Sequence, residues 1–518
     1  MKDAKRVERW GVHEIVLEGP SEAPRSVHSR GCNPFTDVAL TARFTQGAHV
    51  VDTAGFYDGG GIYRVRFMPE ITGTWSWETR SNRASLRGAM GSFECERPGQ
   101  GNHGPVRVVK RNHFSYADGT PFFPLGTTAY AWTYRPEHVR RETLRSFSRY
   151  GFNKIRMLVF PKHYGDGKNV DISYDPPCFP FVGGPGSWDR ARFVPAYFRN
   201  FEDRVQDLKD LGIEADVILF HFYDFGKWGL DVGTRKEDDL RYLRYLISRL
   251  AAHRNVWWSL ANEYDLVDIM RHEGGPGVAP ARKDWEAIGH FLVTRDPYDH
   301  PRSVHQWPFG PLFPNRSWLT HVSYQHPGTY SLLMDLKKKY GKPVINDEYQ
   351  YEGNLPTDWG SCSAEEETLR HWTAVMAGGY ATHGEAFNTP TNHRDIFWSY
   401  GGTLRGGSPA RLRFLKQVLT SLPFQDMEPD TYKGDGRNLF CLRRGSDVYL
   451  YLMTPRWKDH DMLFVGPPEG GTWSYRAVVY DAWKCSKVLS ATWKSGLTMH
   501  LRLPPFAAIV LNRRKGGR

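Results

Sequence analysis

Apolar and polar residues alternate at both ends of the chain. Between positions 63 and 67, a tyrosine, a valine and a phenylalanine alternate with two arginines, and turns rich in glycine and aspartate separate stretches of this kind. A period of two is typical of strands with one buried face, so residues 1–97 are predicted to form a β-sandwich. The alternation returns at positions 448–452, and residues 425–518 are predicted to form a small C-terminal β-domain.

Between these ends the hydrophobic period changes. A linker rich in proline and glycine at 98–105 is followed by short apolar runs that alternate with amphipathic helical patterns. Eight such strand–helix units predict an α/β fold, a (β/α)8 TIM barrel over residues 105–422 flanked by the two β-domains. The last helix is predicted to have Ser408 as its N-cap, followed by Pro409. The barrel strands, numbered 1 to 8, are predicted at 121–128, 154–160, 213–222, 255–264, 301–306, 318–325, 342–349 and 380–387.

Two of the predicted strands end in carboxylates. The apolar run of strand 4, NVWWSLANEY at 255–264, ends in Asn262 and Glu263, and strand 7 ends in Asp347 and Glu348. Catalytic groups of TIM barrels lie at the C-terminal ends of the strands, so both glutamates are predicted to face one pocket. Glycosidic bond cleavage requires such a pair, because one carboxylic acid protonates the leaving oxygen while one carboxylate attacks the anomeric carbon.

The two glutamates are assigned different tasks. Glu263 is predicted to be the general acid/base, with helix capping or an ion pair as the structural alternative. Glu348 is predicted to be the nucleophile. Asp347 and Glu352 stay open as alternative nucleophiles. Asp347 is expected to point away from the pocket if strand 7 is regular, and Glu352 comes one turn further along the chain.

An Asn-Glu pair on strand 4 and a glutamate on strand 7 form the pattern of clan A glycoside hydrolases, and this chain resembles that clan. It is most similar to family 5-like members that have an added N-terminal immunoglobulin-like domain. The resemblance implies that Asn262 hydrogen-bonds to the sugar hydroxyl beside the anomeric carbon, and that Arg156 on strand 2 hydrogen-bonds to the nucleophile. It also implies net retention of configuration. A cation beside Glu348 would keep the pKa of this nucleophile low, whereas Glu263 needs a raised pKa.

Six further residues are predicted to bind the substrate. Four of them follow strands 3, 6 and 8, and two tryptophans are candidate stacking platforms for a sugar ring. For each, ordinary packing or capping is the alternative. They are His221, Tyr324, His326, Glu385, Trp132 and Trp398. The connection at 161–193 is too long for an ordinary loop, so we expect it to wall the cleft and to favour exo action.

Composition agrees with a carbohydrate substrate. Aromatic residues make up 14% of the chain, and aromatic rings stack on the C–H faces of sugars, although β-domain cores use such residues too. A formal charge of +11 raises the question of nucleic acid. The basic residues are scattered and no nucleic-acid-binding motif accompanies them, so no nucleic-acid partner is expected. No apolar run is long enough to span a membrane, and no membrane partner is expected.

Other kinds of chemistry find little support. The six cysteines are widely separated, strand 1 lacks a His-x-His pair, and no G-x-S-x-G motif occurs. Hence no metal, cofactor or serine nucleophile is expected. The N-terminus has no apolar signal core, so a cytoplasmic protein is expected. The oligomeric state is left open, with a homo-oligomer as one option.

The sequence thus predicts a retaining glycoside hydrolase that cleaves O-glycosidic bonds of oligosaccharides or glycosides by double displacement. A non-catalytic glycan-binding protein on the same scaffold is one alternative, and a transglycosylase with the same residues is another. The sugar, its ring form and its anomeric configuration stay open, because barrels of this type act on many glycosides.

Overall fold

The structure of the chain is a computed structural model. None of the helices in the described part of the chain has the length and hydropathy needed to cross a lipid bilayer. Of the connection predicted to wall the cleft, residues 163–174 lie outside the described residues. The described residues are 5–23, 31–162, 175–224, 227–230, 235–266, 283–388, 396–431, 437–455, 461–465, 473–495 and 498–514.

The N-terminal residues form a seven-stranded, mainly antiparallel sheet. Side chains alternate along it as the sequence predicts: Tyr63, Val65 and Phe67 are buried, and the arginines between them are partly exposed. A short helix, Pro34–Asp37, and a 3-10 turn, Ala84–Leu86, connect its strands. The strands are Lys5–Glu8, His13–Glu18, Leu40–Gln46, His49–Tyr57, Ile62–Phe67, Gly73–Ser81 and Met90–Glu96.

Eight parallel strands form the barrel, and the predicted fold class is confirmed. Their ladder runs in the order 5-4-3-2-1-8-7-6. A hydrogen bond from the Thr320 N–H to the Arg302 carbonyl (3.0 Å) links strand 5 to the segment that leads into strand 6. Strands 1 to 8 are Gly126–Thr128, Lys154–Leu158, Glu214–Phe220, Val256–Ala261, Arg302–Ser303, Val322–Gln325, Val344–Glu348 and Tyr380–His383.

The first predicted strand is two separate elements. Pro121–Phe122 pairs antiparallel with His113–Tyr116, which in turn pairs with Val106–Val109, and these three form a small sheet of their own. Pro124 has no backbone N–H to give to a ladder, so the barrel strand begins only at Gly126. The continuous apolar run therefore did not indicate one strand.

Strands 5 and 6 are shorter than predicted. Val304, Trp318 and Leu319 are buried in the hydrophobic core but lie outside the ladder. Burial alone thus made the runs 301–306 and 318–325 resemble longer strands.

The helices cover the outside of the barrel. Most begin near their predicted residues, but Ser408 is the first helical residue and not the N-cap, which is Gly407. The carboxylate of Glu352 takes the capping role, because it accepts the Ser408 N–H (2.9 Å) and the Ser408 hydroxyl (2.6 Å). The helices are Glu137–Tyr150, Pro195–Asp210, Lys236–Leu250, Trp285–Arg295, Tyr330–Tyr340, Ala364–Met376, Phe397–Tyr400 and Ser408–Thr420, with a 3-10 turn at Trp132–Tyr134.

Two short strand pairs lie at the C-terminal end of the barrel. A hairpin of Phe181–Val182 and Asp189–Phe193 belongs to the long connection after strand 2. The Trp188 indole donates to the Lys227 carbonyl (2.6 Å), so this hairpin contacts the loop after strand 3. A parallel pair of Glu352–Gly353 and Glu385–Ala386 continues strands 7 and 8.

The C-terminal residues form a β-domain beside the barrel. Its apolar face packs on the helix Ala364–Met376, where Trp372 meets Phe506 edge to face. A 3-10 turn at Phe424–Asp426 leads into it. Its main sheet contains Glu428–Pro429, Leu439–Arg444, Val448–Met453, Ser474–Asp481, Ser486–Lys494 and Ala507–Arg513, and Asp461–Val465 pairs separately with Thr498–Arg502.

A buried arginine joins the N-terminal sheet to the barrel. Arg249, on the helix Lys236–Leu250, donates to Asp58 of the sheet (2.8 Å) and to Glu202 of the neighbouring helix (2.5 Å). It also donates to the Tyr245 hydroxyl (2.8 Å). All of these groups are buried, and other arginines also pair with both carboxylates, so the loss of Arg249 would remove one cation from a buried ionic network.

We therefore predict that Arg249→Met lowers the free energy of unfolding by about 1.5–3 kcal/mol, the usual contribution of hydrogen bonds to charged groups, because both carboxylates keep other arginine partners. Urea unfolding followed by tryptophan fluorescence measures this change. The matched control is Arg244→Met, an exposed arginine on the same helix, for which a change within about 0.5 kcal/mol is expected. Equal effects of the two substitutions would contradict the assignment.

Candidate active site

The ends of strands 4 and 7 bring the two predicted catalytic glutamates into one buried site. Glu348 is the last residue of strand 7, and Glu263 follows strand 4 after Asn262. The backbone of Glu263 has a φ of +50°, in the left-handed region that non-glycine residues seldom adopt. Such strain is common at functional sites. Ionised Glu348 is close enough to raise the pKa of Glu263 through its charge.

Glu348 lies among groups that stabilise a carboxylate. The Tyr130 hydroxyl donates to Oε1, Arg156 Nη1 donates to the same oxygen (3.1 Å), and His305 Nε2 lies 3.6 Å from it. Burial disfavours the anion, but His305, Arg156 and Tyr130 outweigh this effect and hold the pKa of Glu348 below its ordinary value. Glu348 is thus kept ionised at neutral pH.

Glu263 lies in the opposite electrostatic environment. Burial, together with the negative charge of Glu348, raises its pKa to about 8. Hydrogen bonds to Tyr223 and Gln325 and the charge of Lys162 oppose this shift without cancelling it. Glu263 is therefore protonated at neutral pH and has a proton to give.

Arg156 connects the two strand ends. While Nη1 donates to Glu348, Nη2 donates to the side-chain oxygen of Asn262. The Asn262 amide group in turn donates to the Tyr223 hydroxyl, which hydrogen-bonds to Glu263. The guanidinium is almost completely buried, so its orientation is set by these partners.

A second cation lies deeper in the barrel. Lys154, two residues before Arg156 on strand 2, pairs with Asp347 (3.0 Å) and Asp216 (2.6 Å). Thr382 donates to Asp347 as well (2.6 Å). The charges of Lys154, Arg156 and His305 hold the pKa of Asp347 far below its ordinary value despite its burial. Asp347 is committed to the barrel interior, which argues against its use as the nucleophile.

The expectation that Asp347 points away from the pocket assumes a regular strand 7, and strand 7 is irregular. Its register against strand 6 shifts so that Tyr324 pairs with Asn346 while Gln325 pairs with Glu348, which leaves Asp347 as an extra residue. A bulge of this kind lets two successive side chains face one side of the sheet. Asp347 and Glu348 thus both face the cations of strand 2, at different heights.

Lys162 lies on the ring of Tyr223, the tyrosine that hydrogen-bonds to Asn262 and Glu263. Its Nζ is 4.0 Å from the centre of the Tyr223 ring, within the range of a cation–π contact. Burial lowers the pKa of Lys162, although Asp224 and Glu263 act in the opposite direction. No sequence pattern indicated this lysine, which follows strand 2 at the start of the long connection.

Two of the predicted substrate-binding residues belong to the packed interior. Trp132 is completely buried and meets Phe147 edge to face, so it cannot be a stacking platform. His221 is buried behind Tyr223, and its Nε2 lies 2.8 Å from the Pro161 carbonyl oxygen. Both follow barrel strands as predicted, but their side chains turn away from the pocket.

At strand 6, the residue that reaches the site comes one position after the predicted Tyr324. Tyr324 is buried with Leu333 and Tyr340 between the strands and the outer helices, whereas the next residue, Gln325, reaches Glu263. His326 is partly exposed at the rim, and its backbone N–H donates to the Glu348 carbonyl (3.0 Å). Alternation along strand 6 places Gln325 and Tyr324 on opposite faces, but it does not show which face points into the barrel.

Glu385 stabilises a loop and is not at the pocket. Its carboxylate accepts the N–H groups of Arg405 (2.8 Å) and Gly406 (2.7 Å), and burial raises its pKa to about 7. It lies beside His383 and Glu352, whose potential ligand atoms are within 4.8 Å. Because Glu352 caps the helix Ser408–Thr420, this alternative nucleophile is also committed elsewhere.

Trp398 is the predicted platform that does border the site. Its ring stacks on Tyr351 (5.6 Å between ring centres) and meets Tyr130 edge to face (5.8 Å). Since Tyr130 donates to Glu348, Trp398 lies one ring away from the candidate nucleophile. Several site residues were missed by the sequence analysis although all lie at or just after strand ends: Tyr130, Lys162, Tyr223, His305 and Gln325.

The chain resembles a known protein family and several solved structures. Residues 109–389 match a family model for an apiosidase-like catalytic domain, and residues 6–82 match the domain of unknown function DUF5060. The chain is similar to a solved protein from Bacteroides vulgatus ATCC 8482 whose assignment as a glycoside hydrolase is provisional. The two share 33% identity over 98% of this chain and 100% of that chain, with a TM-score of 0.86. A family 5 glycoside hydrolase from the same organism shares the fold at 15% identity, over 79% of this chain and 94% of that chain, with a TM-score of 0.58. No curated protein matches the chain.

The raised pKa of Glu263 predicts a stability effect with a definite sign. A carboxyl whose pKa is higher in the folded state stabilises the fold below its unfolded pKa, and this contribution is lost as the pH rises through about 8. Glu263→Gln cannot ionise, so we expect its melting temperature to match wild type below about pH 4.5, to exceed it increasingly as the pH rises from there to about 8, and to keep a constant lead at higher pH.

Differential scanning fluorimetry across this pH range measures the effect. The matched control is Glu237→Gln, an exposed glutamate, for which no such pH-dependent gap is expected. A gap for Glu263→Gln that is constant with pH would mean that Glu263 does not titrate in this range.

Proposed function

Since the chain belongs to the apiosidase-like family of clan A glycoside hydrolases, we propose that it cleaves O-glycosidic bonds with net retention of configuration. Glu263 is the general acid/base and Glu348 the nucleophile. The observation that supports this most directly is the opposite shift of two neighbouring carboxyl pKa values. Environments that push such a pair apart are how enzymes assign the acid and the nucleophile.

In the first step, protonated Glu263 gives its proton to the glycosidic oxygen while Glu348 attacks the anomeric carbon. The C–O bond to the leaving group breaks, the aglycone departs as an alcohol, and an ester forms between Glu348 and the sugar. Arg156 and Tyr130 keep Glu348 anionic until the attack.

In the second step, a water molecule attacks the anomeric carbon and Glu263, now a carboxylate, accepts its proton. The ester bond breaks, the sugar leaves with its original configuration, and both glutamates return to their starting states. Once Glu348 is esterified its negative charge is gone, so the pKa of Glu263 falls and the residue is ready to act as a base.

The neighbouring residues position these groups. Asn262 is held by Arg156 and Tyr223, which leaves an amide hydrogen for the sugar hydroxyl beside the anomeric carbon. The hairpin Phe181–Val182 with Asp189–Phe193 contacts the loop after strand 3, where it would wall one side of the cleft and favour exo action. The family name makes an apioside, the glycoside of a branched pentose, the first candidate substrate.

We predict that the protein releases nitrophenol from one member of a panel of aryl apiofuranosides, other furanosides and pyranosides. Glu348→Gln should lower kcat/KM on that substrate by at least about 10³-fold, because the amide cannot form the covalent intermediate. In Glu348→Ala, which leaves room beside the anomeric carbon, added azide should restore activity and give a glycosyl azide of inverted configuration, because azide then replaces the lost nucleophile. The conservative control Glu352→Gln should retain catalysis, since Glu352 caps a helix.

Several outcomes would contradict the assignment. If Glu348→Gln is as active as wild type, Glu348 is not the nucleophile. If wild type cleaves neither the panel nor the oligosaccharides that it binds, the non-catalytic glycan-binding alternative is correct. If added sugar acceptors capture most of the glycosyl group, the protein is a transglycosylase.

Lys162 predicts a change in the pH profile. Its positive charge lowers the pKa of Glu263, and that pKa sets the alkaline limb of kcat/KM because the acid must be protonated. Lys162→Met should therefore move the alkaline limb to higher pH, and Lys162→Arg should leave it near its wild-type position. The acidic limb reports on Glu348, so it should stay in place. An unmoved alkaline limb in Lys162→Met, or equal shifts in both variants, would contradict this role.

A further inference from the structure

An exposed phenylalanine stands at the rim of the candidate active site. Among the described residues, the exposed large apolar side chains are aliphatic or methionine, with the single exception of Phe309, which is 72% exposed. Phe309 lies in the loop after strand 5, and its ring meets the ring of His326 edge to face with 5.1 Å between centres. The His326 N–H donates to the carbonyl of Glu348, so Phe309 lies within two contacts of the candidate nucleophile.

The backbone holds this ring in an unfavourable conformation. The Gly310 N–H donates to the Trp307 carbonyl (2.8 Å), Pro308 occupies the second position of this turn, and Phe309 in the third has a φ of +62°. This is the pattern of a type II turn, in which the third position favours glycine. A bulky side chain there is strained, and the strain brings no compensating burial for the ring.

The loop is braced by the two residues that follow Glu263. The Trp307 N–H donates to the Asp265 carboxylate (2.6 Å), and the Tyr264 hydroxyl donates to the Pro311 carbonyl (2.8 Å). A Cβ on Gly310 would lie 2.0 Å from an Asp265 oxygen, so the turn fits closely against that carboxylate. The two residues directly after Glu263 therefore set the position of Phe309.

From this geometry we propose that Phe309 is a binding platform for a sugar unit of the substrate, which stacks its C–H face on the exposed ring. The inference rests on the proposed function, because it requires a saccharide substrate. Glu263 and Glu348 are buried, whereas Phe309 is at the rim, so the stacked unit lies beyond the cleaved bond. The natural substrate is then an oligosaccharide or a glycan with a sugar as its leaving group, and not a simple alkyl or aryl glycoside.

A binding platform and a structural residue predict opposite results for one substitution. Phe309→Gly relieves the positive φ and loses only the edge contact with His326, so its melting temperature should equal or exceed that of wild type. The same substitution should weaken saccharide binding. A fall in melting temperature of more than about 5 °C would show that the ring supports the fold, and would overturn the proposal.

Binding is measured on an array of defined plant and bacterial oligosaccharides, with Glu348→Gln as the probe so that bound glycans are not turned over. Adding Phe309→Ala should weaken binding of the retained glycans by about tenfold or more, whereas adding Phe309→Tyr should preserve it. The control pairs Glu348→Gln with Leu211→Ala, which removes an exposed apolar side chain from the outer surface and should change nothing.

The outcomes separate the two proposals. If Glu348→Gln retains glycans and adding Phe309→Ala does not weaken their binding, the platform is excluded while the proposed function stands. If Glu348→Gln retains no glycan on the array and wild type releases no sugar from it, the proposed function fails and the platform fails with it. Weakening by Phe309→Ala that Phe309→Tyr prevents establishes the platform.

Discussion

The active site depends on a guanidinium buried inside the barrel. Arg156 is removed from water, and a cation in such surroundings is tolerated only with close, well-oriented partners. Its two nitrogens bind Glu348 from strand 7 and Asn262 from strand 4. The same contacts that satisfy the arginine bring together the two strand ends on which the chemistry takes place, so the stability of the interior and the geometry of the site have one cause.

Strand 2 provides two cations at two depths. Lys154 neutralises Asp216 and Asp347 in the barrel interior, and Arg156, two residues later on the same face, serves the site above. The bulge at Asp347 makes this arrangement possible, because it lets Asp347 and Glu348 face the same side of strand 7. One carboxylate is thereby used for folding and its neighbour is left for chemistry.

The two glutamates differ in charge because their partners differ. Glu348 has a cation and a phenol at its oxygens, whereas Glu263 has neutral hydrogen-bond partners and a negative field from Glu348 that outweighs the charge of Lys162. Each glutamate therefore reinforces the state of the other: an ionised nucleophile keeps the acid protonated. The strained backbone at Glu263, and the strained turn at Phe309 that is braced by the residues after it, both lie at this mouth of the barrel and not in its supporting layers.

The sequence by itself determined the class of fold and the elements that provide the site. Hydrophobic periods of two and of 3.6 residues are local properties, so they predict eight strand–helix units between two β-domains, and they place Glu263, Glu348, Asn262 and Arg156 at strand ends. The direction in which a side chain points at a strand end is not local. It was decided by the bulge in strand 7, by the turns after the strands, and by the partners that reach each residue from distant parts of the chain.

Tertiary structure therefore decided the lining of the site. Tyr324 faces the helices while Gln325 reaches Glu263, and Trp132 fills the core although it follows strand 1. His305 reaches Glu348 from a strand of only two residues, too short to give a periodic signal. These positions follow from packing between residues on different elements of the chain, and a hydrophobic pattern contains no information about such contacts.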